Sequence, residues 1–218
     1  MKKQIATSLI VLAGIIFAYS QSDDPLDYQN SNIIMWLTPD SGLYNGMGFP
    51  AAQGDDIFEW HDISGNGYVF ENDQNSRRPE LVQDNNENYL DFTPGDFLQN
   101  TNIQNDLNGL EEFSIFIVIK SDQINTDRGF MDSENPDGRD DNICLRYDNR
   151  GANTGRDDCL KTGMVGNSAN HQVESQANTQ STDRQVLTLT WKRGEKLYLY
   201  VNGLVSDSSN NTFNNTIS

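Results

Sequence analysis

The sequence predicts an all-β fold of two packed sheets, and three observations carry that expectation. Apolar residues fall in short runs rich in β-branched and aromatic types, separated by polar stretches that hold glycine and asparagine. No segment after residue 20 sustains the apolar period of an amphipathic helix. Asn-Gly pairs stand at Asn66-Gly67 and Asn202-Gly203. That dipeptide suits a type I′ hairpin turn, in which both central residues need positive φ.

Taken in order, residues 1–20 stand apart from the core. Met1-Lys2-Lys3 is a basic start, Ile5 to Ala18 is an apolar run, and Ala18-Tyr19-Ser20 puts small residues just before Gln21. These are the three parts of a secretory signal peptide. The alternative, an uncleaved anchor, would need about 20 apolar residues. Residues 21–32 read as an acidic spacer and 33–218 as the sandwich. Ile33-Ile34-Met35-Trp36-Leu37, stopped by Thr38-Pro39-Asp40-Ser41-Gly42, reads as a buried strand. Leu43 to Asp55, with its glycines and Pro50, reads as loop. Ile57 to Trp60 returns to strand, and Trp60-His61-Asp62-Ile63-Ser64-Gly65-Asn66-Gly67-Tyr68 forms the turn after it.

Tyr89 to Phe92 follows an Asn-rich turn over residues 84–88. Phe113 to Lys120 is the clearest strand. Phe113, Ile115, Ile117 and Ile119 line one face, and Phe116 and Val118 make the other partly apolar, the pattern of a strand in the middle of a sheet. Gly129 to Met131, Ile143 to Tyr147 and Lys161 to Val165 read as short strands, and Asn167 to Asp183 as polar loop. Val186 to Trp191 and Leu197 to Val201 form the last clear pair, before the Asn202-Gly203 turn. Thr212 to Ser218 looks like the approach to another strand, so the chain is expected to be part of a longer protein with further domains.

The composition excludes some partners. The chain holds 15 Lys and Arg against 32 Asp and Glu, a net charge of −17. Loss of Lys2 and Lys3 with the leader would take it to −19. Nucleic acid and anionic membrane would repel such a surface. Export, together with an even count of cysteines, predicts a Cys144–Cys159 disulfide, worth about 3 kcal/mol in the chain-entropy account. Two free thiols are the alternative.

Candidate chemistry lies in the loops. Asp62, Ser64 and Asn66, with Gly67 next, match the first, third, fifth and sixth positions of a calcium-binding loop. The twelfth position is Asp73 rather than Glu, and no helices flank it. The alternative is a Ser/Asn/Gly turn capped by Asp62. Asp132, Glu134, Asp137, Asp140 and Asp141 crowd five carboxylates into ten residues, which either gather Ca²⁺ or form a solvated loop relieved by Arg128 and Arg139. Trp36 and Trp191 sit in apolar runs and read as core. Tyr44 and Tyr68 sit in loops, and with Asp62 and Asn66 they form the ligand-binding candidates. No catalytic residues emerge: neither Ser nor Cys has a nucleophile-elbow context, and no strand carries a carboxylate pair on one face.

Four patches together resemble the concanavalin A-like lectin/glucanase superfamily, in particular the laminin G-like modules of secreted bacterial proteins. They are Ile34-Met35-Trp36-Leu37 with Asp40 and Gly42; Trp60-x-Asp62-x-Ser64-Gly65-Asn66-Gly67 followed by Arg78-Pro79-x-Leu81; Phe113 to Lys120; and Leu197-Tyr198-x-Tyr200-Val201-Asn202-Gly203. They span Ile33 to Val205. The resemblance implies a two-sheet antiparallel jelly-roll sandwich, truncated here at its C-terminus, and a non-catalytic extracellular module that binds carbohydrate or a protein ligand. The Glu-x-Asp-x-x-Glu strand of the family's glucanases has no counterpart here, which leaves a glycoside hydrolase of the same fold, or a structural spacer or adhesin domain, as alternatives.

Overall fold

The computed structural model describes residues 33–132, 143–149, 159–166 and 169–217. The leader and the spacer lie outside the described residues. The expected all-β class holds: the strands form antiparallel sheets, and the α-helix among the described residues is one short turn. No helix among them is long and apolar enough to cross a membrane. The chain divides into two compact units, Met1–Gln99 and Asn100–Ser218.

In the first unit β1 (Leu43–Asn45), β2 (Ile57–His61) and β3 (Val69–Glu71) form a three-stranded sheet with β2 in the centre. A hairpin of β4 (Glu80–Asp84) and β5 (Glu87–Asp91) accompanies it. The core is small: Leu43, Ile57 and Leu81 are buried, with Ala51, Trp60, Leu90 and Leu98 packed on them. Asn85 and Asn86 close the β4–β5 hairpin, both at positive φ (51° and 66°), as a type I′ turn requires. Asn66-Gly67 does not repeat that geometry. Positive φ falls on Gly65 and Gly67, and the long 62–68 connection is shaped by side-chain hydrogen bonds. Ile33 to Leu37 is half-buried but forms no strand. It lies against the 62–66 turn, where the Asp62 and Asn66 side chains take the Trp36 N–H and the Ile33 and Ile34 carbonyls and one backbone bond joins Ile63 N–H to the Trp36 carbonyl, so the apolar run recorded burial without a ladder.

In the second unit α1 (Gln104–Leu107) precedes β6 (Glu112–Ile119), β7 (Arg128–Asp132), β8 (Ile143–Asp148), β9 (Cys159–Gly166), β10 (Ala169–Glu174), β11 (Gln185–Lys192), β12 (Tyr198–Val201) and β13 (Leu204–Ser208). They make two four-stranded antiparallel sheets, ordered β10-β9-β8-β7 and β13-β12-β11-β6. Ile143, Leu145, Tyr147, Leu160 and Val173 from the first share one buried core with Leu187, Leu189, Trp191 and Leu199 from the second. Two sheets burying facing sides in one core is a sandwich arrangement. Trp191 sits edge-on to Phe213 (5.0 Å between centroids), and Phe130 edge-on to Tyr147 (4.8 Å).

The structure corrects several expectations. The Phe113–Lys120 run falls in β6, an eight-residue strand, yet β6 lies at the edge of its sheet: its second apolar face is open, with Phe116 68% and Val118 64% exposed. Burial on both faces was inferred from apolar residues that in fact face outward. The Asn167–Asp183 stretch contains β10, whose polar residues carry no apolar signal. Thr212 to Ile217 forms no strand. Phe213 and Ile217 instead plug the core, with backbone bonds from Phe213 N–H to Glu195 and from Ile217 N–H to Leu110.

The β8–β9 register also bears on the cysteines. Cys144 lies opposite Gly163 and Cys159 opposite Asp148. The two Cα positions are therefore four residues apart along paired strands, about 13 Å at a strand's rise, where a disulfide needs about 7 Å or less. The expected Cys144–Cys159 bridge does not fit this pairing.

Candidate functional site

The residues singled out in the Trp60 motif come together, and they bind the chain itself. Asp62 is buried. Its Oδ1 accepts from the Trp36 N–H at 2.7 Å and the Ser64 N–H at 3.0 Å, and its Oδ2 from the Ser64 hydroxyl at 2.6 Å. The Asn66 amide donates to the carbonyls of Ile33 (2.9 Å) and Ile34 (2.8 Å). Trp60 Nε1 donates to the Thr38 carbonyl at 2.9 Å, and the Ile63 N–H to the Trp36 carbonyl. Tyr68 is 7% exposed, against the expectation of an open loop aromatic, and closes the motif just before β3 with its carbonyl accepting from Asp62 N–H. Tyr44 lies in β1 with its ring 4.6 Å from that of His61. The polar atoms expected to meet a ligand therefore clamp residues 33–38 onto the turn.

Asp132 ends β7 and is exposed. Glu134, Asp137, Asp140 and Asp141 lie outside the described residues. Among the described residues no group of three or more His, Cys, Asp or Glu is placed to hold a metal ion.

A polar hollow of about 280 Å³ in the first unit is lined by Asp56, Arg78, Glu80, Asp91 and Asp96, with no apolar side chain on its wall. Arg78 is already engaged. Its Nε donates to the Asn72 carbonyl at 2.7 Å, and its guanidinium lies 4.6 Å over the Phe58 ring. Asp96 Oδ2 accepts from both the Thr93 N–H and the Thr93 hydroxyl. Four carboxylates around one committed guanidinium would repel an anion, and no aromatic ring lines the hollow for a ligand to stack on.

The outer face of the β13-β12-β11-β6 sheet is different in kind. Leu187, Leu189, Trp191 and Leu199 point into the core, so strand alternation sends Thr188, Thr190, Tyr198 and Tyr200 to the other side, where Thr188 is 8% exposed between Phe116 and Tyr200. The register sets them in rows. One runs Ser114, Thr190, Tyr198; the next Phe116, Thr188, Tyr200, Val205; the third pairs Val118 with Val186. The Tyr198 and Tyr200 rings are 6.4 Å apart at 42°. A Glu112–Lys192 ion pair at 3.4 Å bounds one end of the face and Lys120 follows β6 at the other. Between them the face carries rings, methyls and hydroxyls and no charge, on a chain of net charge −17.

The sequence places Tyr198 and Tyr200 in a strand, but they were not among the ligand-binding candidates. The signal was available in the alternation of Leu197 and Leu199 with Tyr198 and Tyr200, which assigns one face to the core and leaves two phenols on the other. No protein-family model, no curated protein and no solved structure matches this chain.

Proposed function

We propose that the chain is a non-catalytic recognition module of an exported or cell-surface protein, of the concanavalin A-like and laminin G-like kind, and that it binds neutral carbohydrate on the outer face of the β13-β12-β11-β6 sheet. One observation carries the reading: the aromatic, hydroxyl-bearing and uncharged patch of Phe116, Tyr198, Tyr200 and Thr190 on an otherwise strongly acidic chain. A sugar ring offers C–H faces that stack on Phe and Tyr, and hydroxyls that exchange hydrogen bonds with Ser, Thr and Tyr. An acidic glycan or a nucleic acid would meet the surrounding carboxylates at a cost.

A hydrolase of the same fold would need two carboxylates about 5–9 Å apart across one glycosidic bond. The carboxylate at this face is Glu112, held by Lys192. A protein ligand would bury the same patch and is the second reading, favoured by the exposed Phe116 and Val118.

A glycan array probed with the purified protein, with calcium and again with chelator, tests the proposal. Retention of one class of neutral polysaccharide under both conditions, lost in Tyr198→Ala/Tyr200→Ala, is the expected result. Binding lost with chelator would move the site to the acidic segment 132–141. An array blank in both conditions would end the carbohydrate reading.

A further inference from the structure

Among the described residues of the second unit, β6 is the long edge strand that carries no edge protection. Proteins blunt exposed edges with bulges, prolines, charges or polar residues, because an unpaired row of N–H and C=O groups templates another strand. The β7 edge is bulged between Gly129 and Met131, and the β13 edge between Leu199 and Tyr200 of its partner. The β10 edge is polar in sequence, Ala-Asn-His-Gln-Val-Glu. β6 pairs with β11 in unbroken register from Glu112↔Lys192 to Ile119↔Gln185, holds neither Pro nor Gly, and bonds to no other strand among the described residues. Its charges stand at its two ends, Glu112 and the following Lys120.

The sequence of β6 is complementary to itself when reversed. In an antiparallel pair centred on Phe116, Phe116 meets Phe116 of a second copy, Ser114 meets Val118, and Glu112 meets Lys120, twice over. On the inner side Ile115 meets Ile117 and Phe113 meets Ile119, so the apolar side continues across the join. The pair would set Glu112 between Lys192 of its own sheet and Lys120 of the second copy. A parallel pairing in register would instead place Glu112 on Glu112 and Lys120 on Lys120.

We propose that β6 is the interface of a two-fold symmetric dimer in which two copies of this chain pair β6 to β6, antiparallel and centred on Phe116, and join their sheets into one of eight strands. The symmetry is isologous, so the contact closes at two copies. A single strand pair with one aromatic at its centre fits a reversible dimer rather than an obligate one. Such a dimer does not depend on carbohydrate binding, although joining the sheets would also make their outer faces continuous.

Charge exchange tests the register. Glu112→Lys sets a lysine against the native Lys120 of the second copy, and Lys120→Glu sets a glutamate against the native Glu112, while the double exchange restores opposite charges in reversed order. Both positions are exposed, Glu112 opening β6 and Lys120 following it, and circular dichroism would verify the fold of each variant. Sedimentation equilibrium should show a concentration-dependent dimer for the native protein. Each single exchange should raise its Kd about tenfold, since opposed like charges across strands are unfavourable at two symmetric sites. The double exchange should return within about threefold of the native Kd. A protein that stays monomeric at millimolar concentration, one that grows beyond two copies, or a dimer indifferent to the single exchanges or unrescued by the double would each overturn the proposal.

Discussion

The two units hold themselves together by different means. The second unit buries a continuous apolar core between two sheets, with Leu187, Leu189, Leu199, Tyr147 and Phe213 nearly inaccessible to solvent. The first buries Leu43, Ile57 and Leu81, and leans on side chains that satisfy backbone groups elsewhere: Asp62 on Trp36 and Ser64, Asn66 on Ile33 and Ile34, and Asn72 on Gln74, Arg77 and Phe97. A sheet sandwich can place its strands by burial, because slipping one by a residue would turn its apolar face to water. A unit of short strands and long turns lacks that lever, so polar side chains do the placing. Gly42 shows how closely they must fit: at φ +75°, an added Cβ would sit 2.7 Å from the His61 carbonyl oxygen.

The largest expected effect lies in the sandwich. Leu189→Ala removes a side chain 1% exposed between the two sheets and should cost about 3 kcal/mol. Urea unfolding followed by tryptophan fluorescence reads that loss, and hydrogen exchange locates it. Protection should fall across β6, β11 and β12 while residues 43–91 keep theirs. If both units lose protection in step they unfold as one, and the contrast between them does not hold.

The polar clamps come next. Asn72 is 1% exposed, donates to the carbonyls of Arg77 (2.7 Å) and Phe97 (2.8 Å) and accepts from Gln74 N–H. Asn72→Ala strands those groups and should cost about 2 kcal/mol. Asp62→Ala frees Trp36 N–H and Ser64 and should cost a similar amount, about 2 kcal/mol, with Asp62→Asn recovering part of it through its remaining acceptor. The same exchange measurement decides: protection lost at 33–38 and 62–66 supports the clamp, and an unchanged pattern removes it.

How much of this could be read beforehand follows the same divide. β11, β12 and the Asn202-Gly203 turn were legible because alternation and turn chemistry agree there: Asn202 and Gly203 both take positive φ, at 50° and 79°. β2 and β5 were legible as well. Ile33 to Leu37 was misread because burial by a polar turn leaves the same apolar run as burial in a sheet. In Asn66 the side chain, whose amide reaches back 33 and 32 residues to Ile33 and Ile34, matters more than the turn propensity, and no local rule carries that. The outer face was half legible: the phenols at 198 and 200 were seen, and the openness of β6 beside them was not, because apolar residues on both faces of a strand read alike whether covered or exposed. The cysteine pairing failed because spacing in sequence does not report strand register.

Smaller in stability, and sharper for function, are the outer-face aromatics, the exposed Phe116 and the half-buried Tyr200. Tyr200→Ala and Phe116→Ala remove side chains outside the core and should change stability by less than about 1 kcal/mol. On the proposed face each should weaken binding to the retained polysaccharide about tenfold or more, through lost ring stacking. Isothermal titration against the polysaccharide chosen by the array separates the two quantities. Variants that bind as the native protein does would move the site off this sheet.

The smallest effects separate the units by pH. Tyr147 is wholly inaccessible to solvent, with its hydroxyl between Gln185 Oε1 (2.8 Å) and the Ser181 carbonyl (3.0 Å). Burial raises its pKa above the ordinary phenol value, an effect that the Ser181 N–H, donating to the phenol oxygen at 3.2 Å, partly offsets. The folded state therefore holds the proton more tightly than the unfolded one. The resulting stability is complete below about pH 10, the unfolded value, and is lost as pH rises from there through the folded pKa. In the first unit the Ala52 N–H, then the Asn45 amide, hold the Asp55 carboxyl below the usual range. That contribution is complete above about pH 4 and is lost as pH falls through the folded pKa. Alkali should thus loosen the sandwich first at β8 and β11, and acid the 45–55 turn. Tyr147→Phe should flatten the alkaline limb of the unfolding free energy, and Asp55→Asn the acid limb, each leaving the other in place. A single variant that flattened both limbs would mean that one titration serves the whole chain, and the two units would then share the linkage that their different construction assigns to each alone.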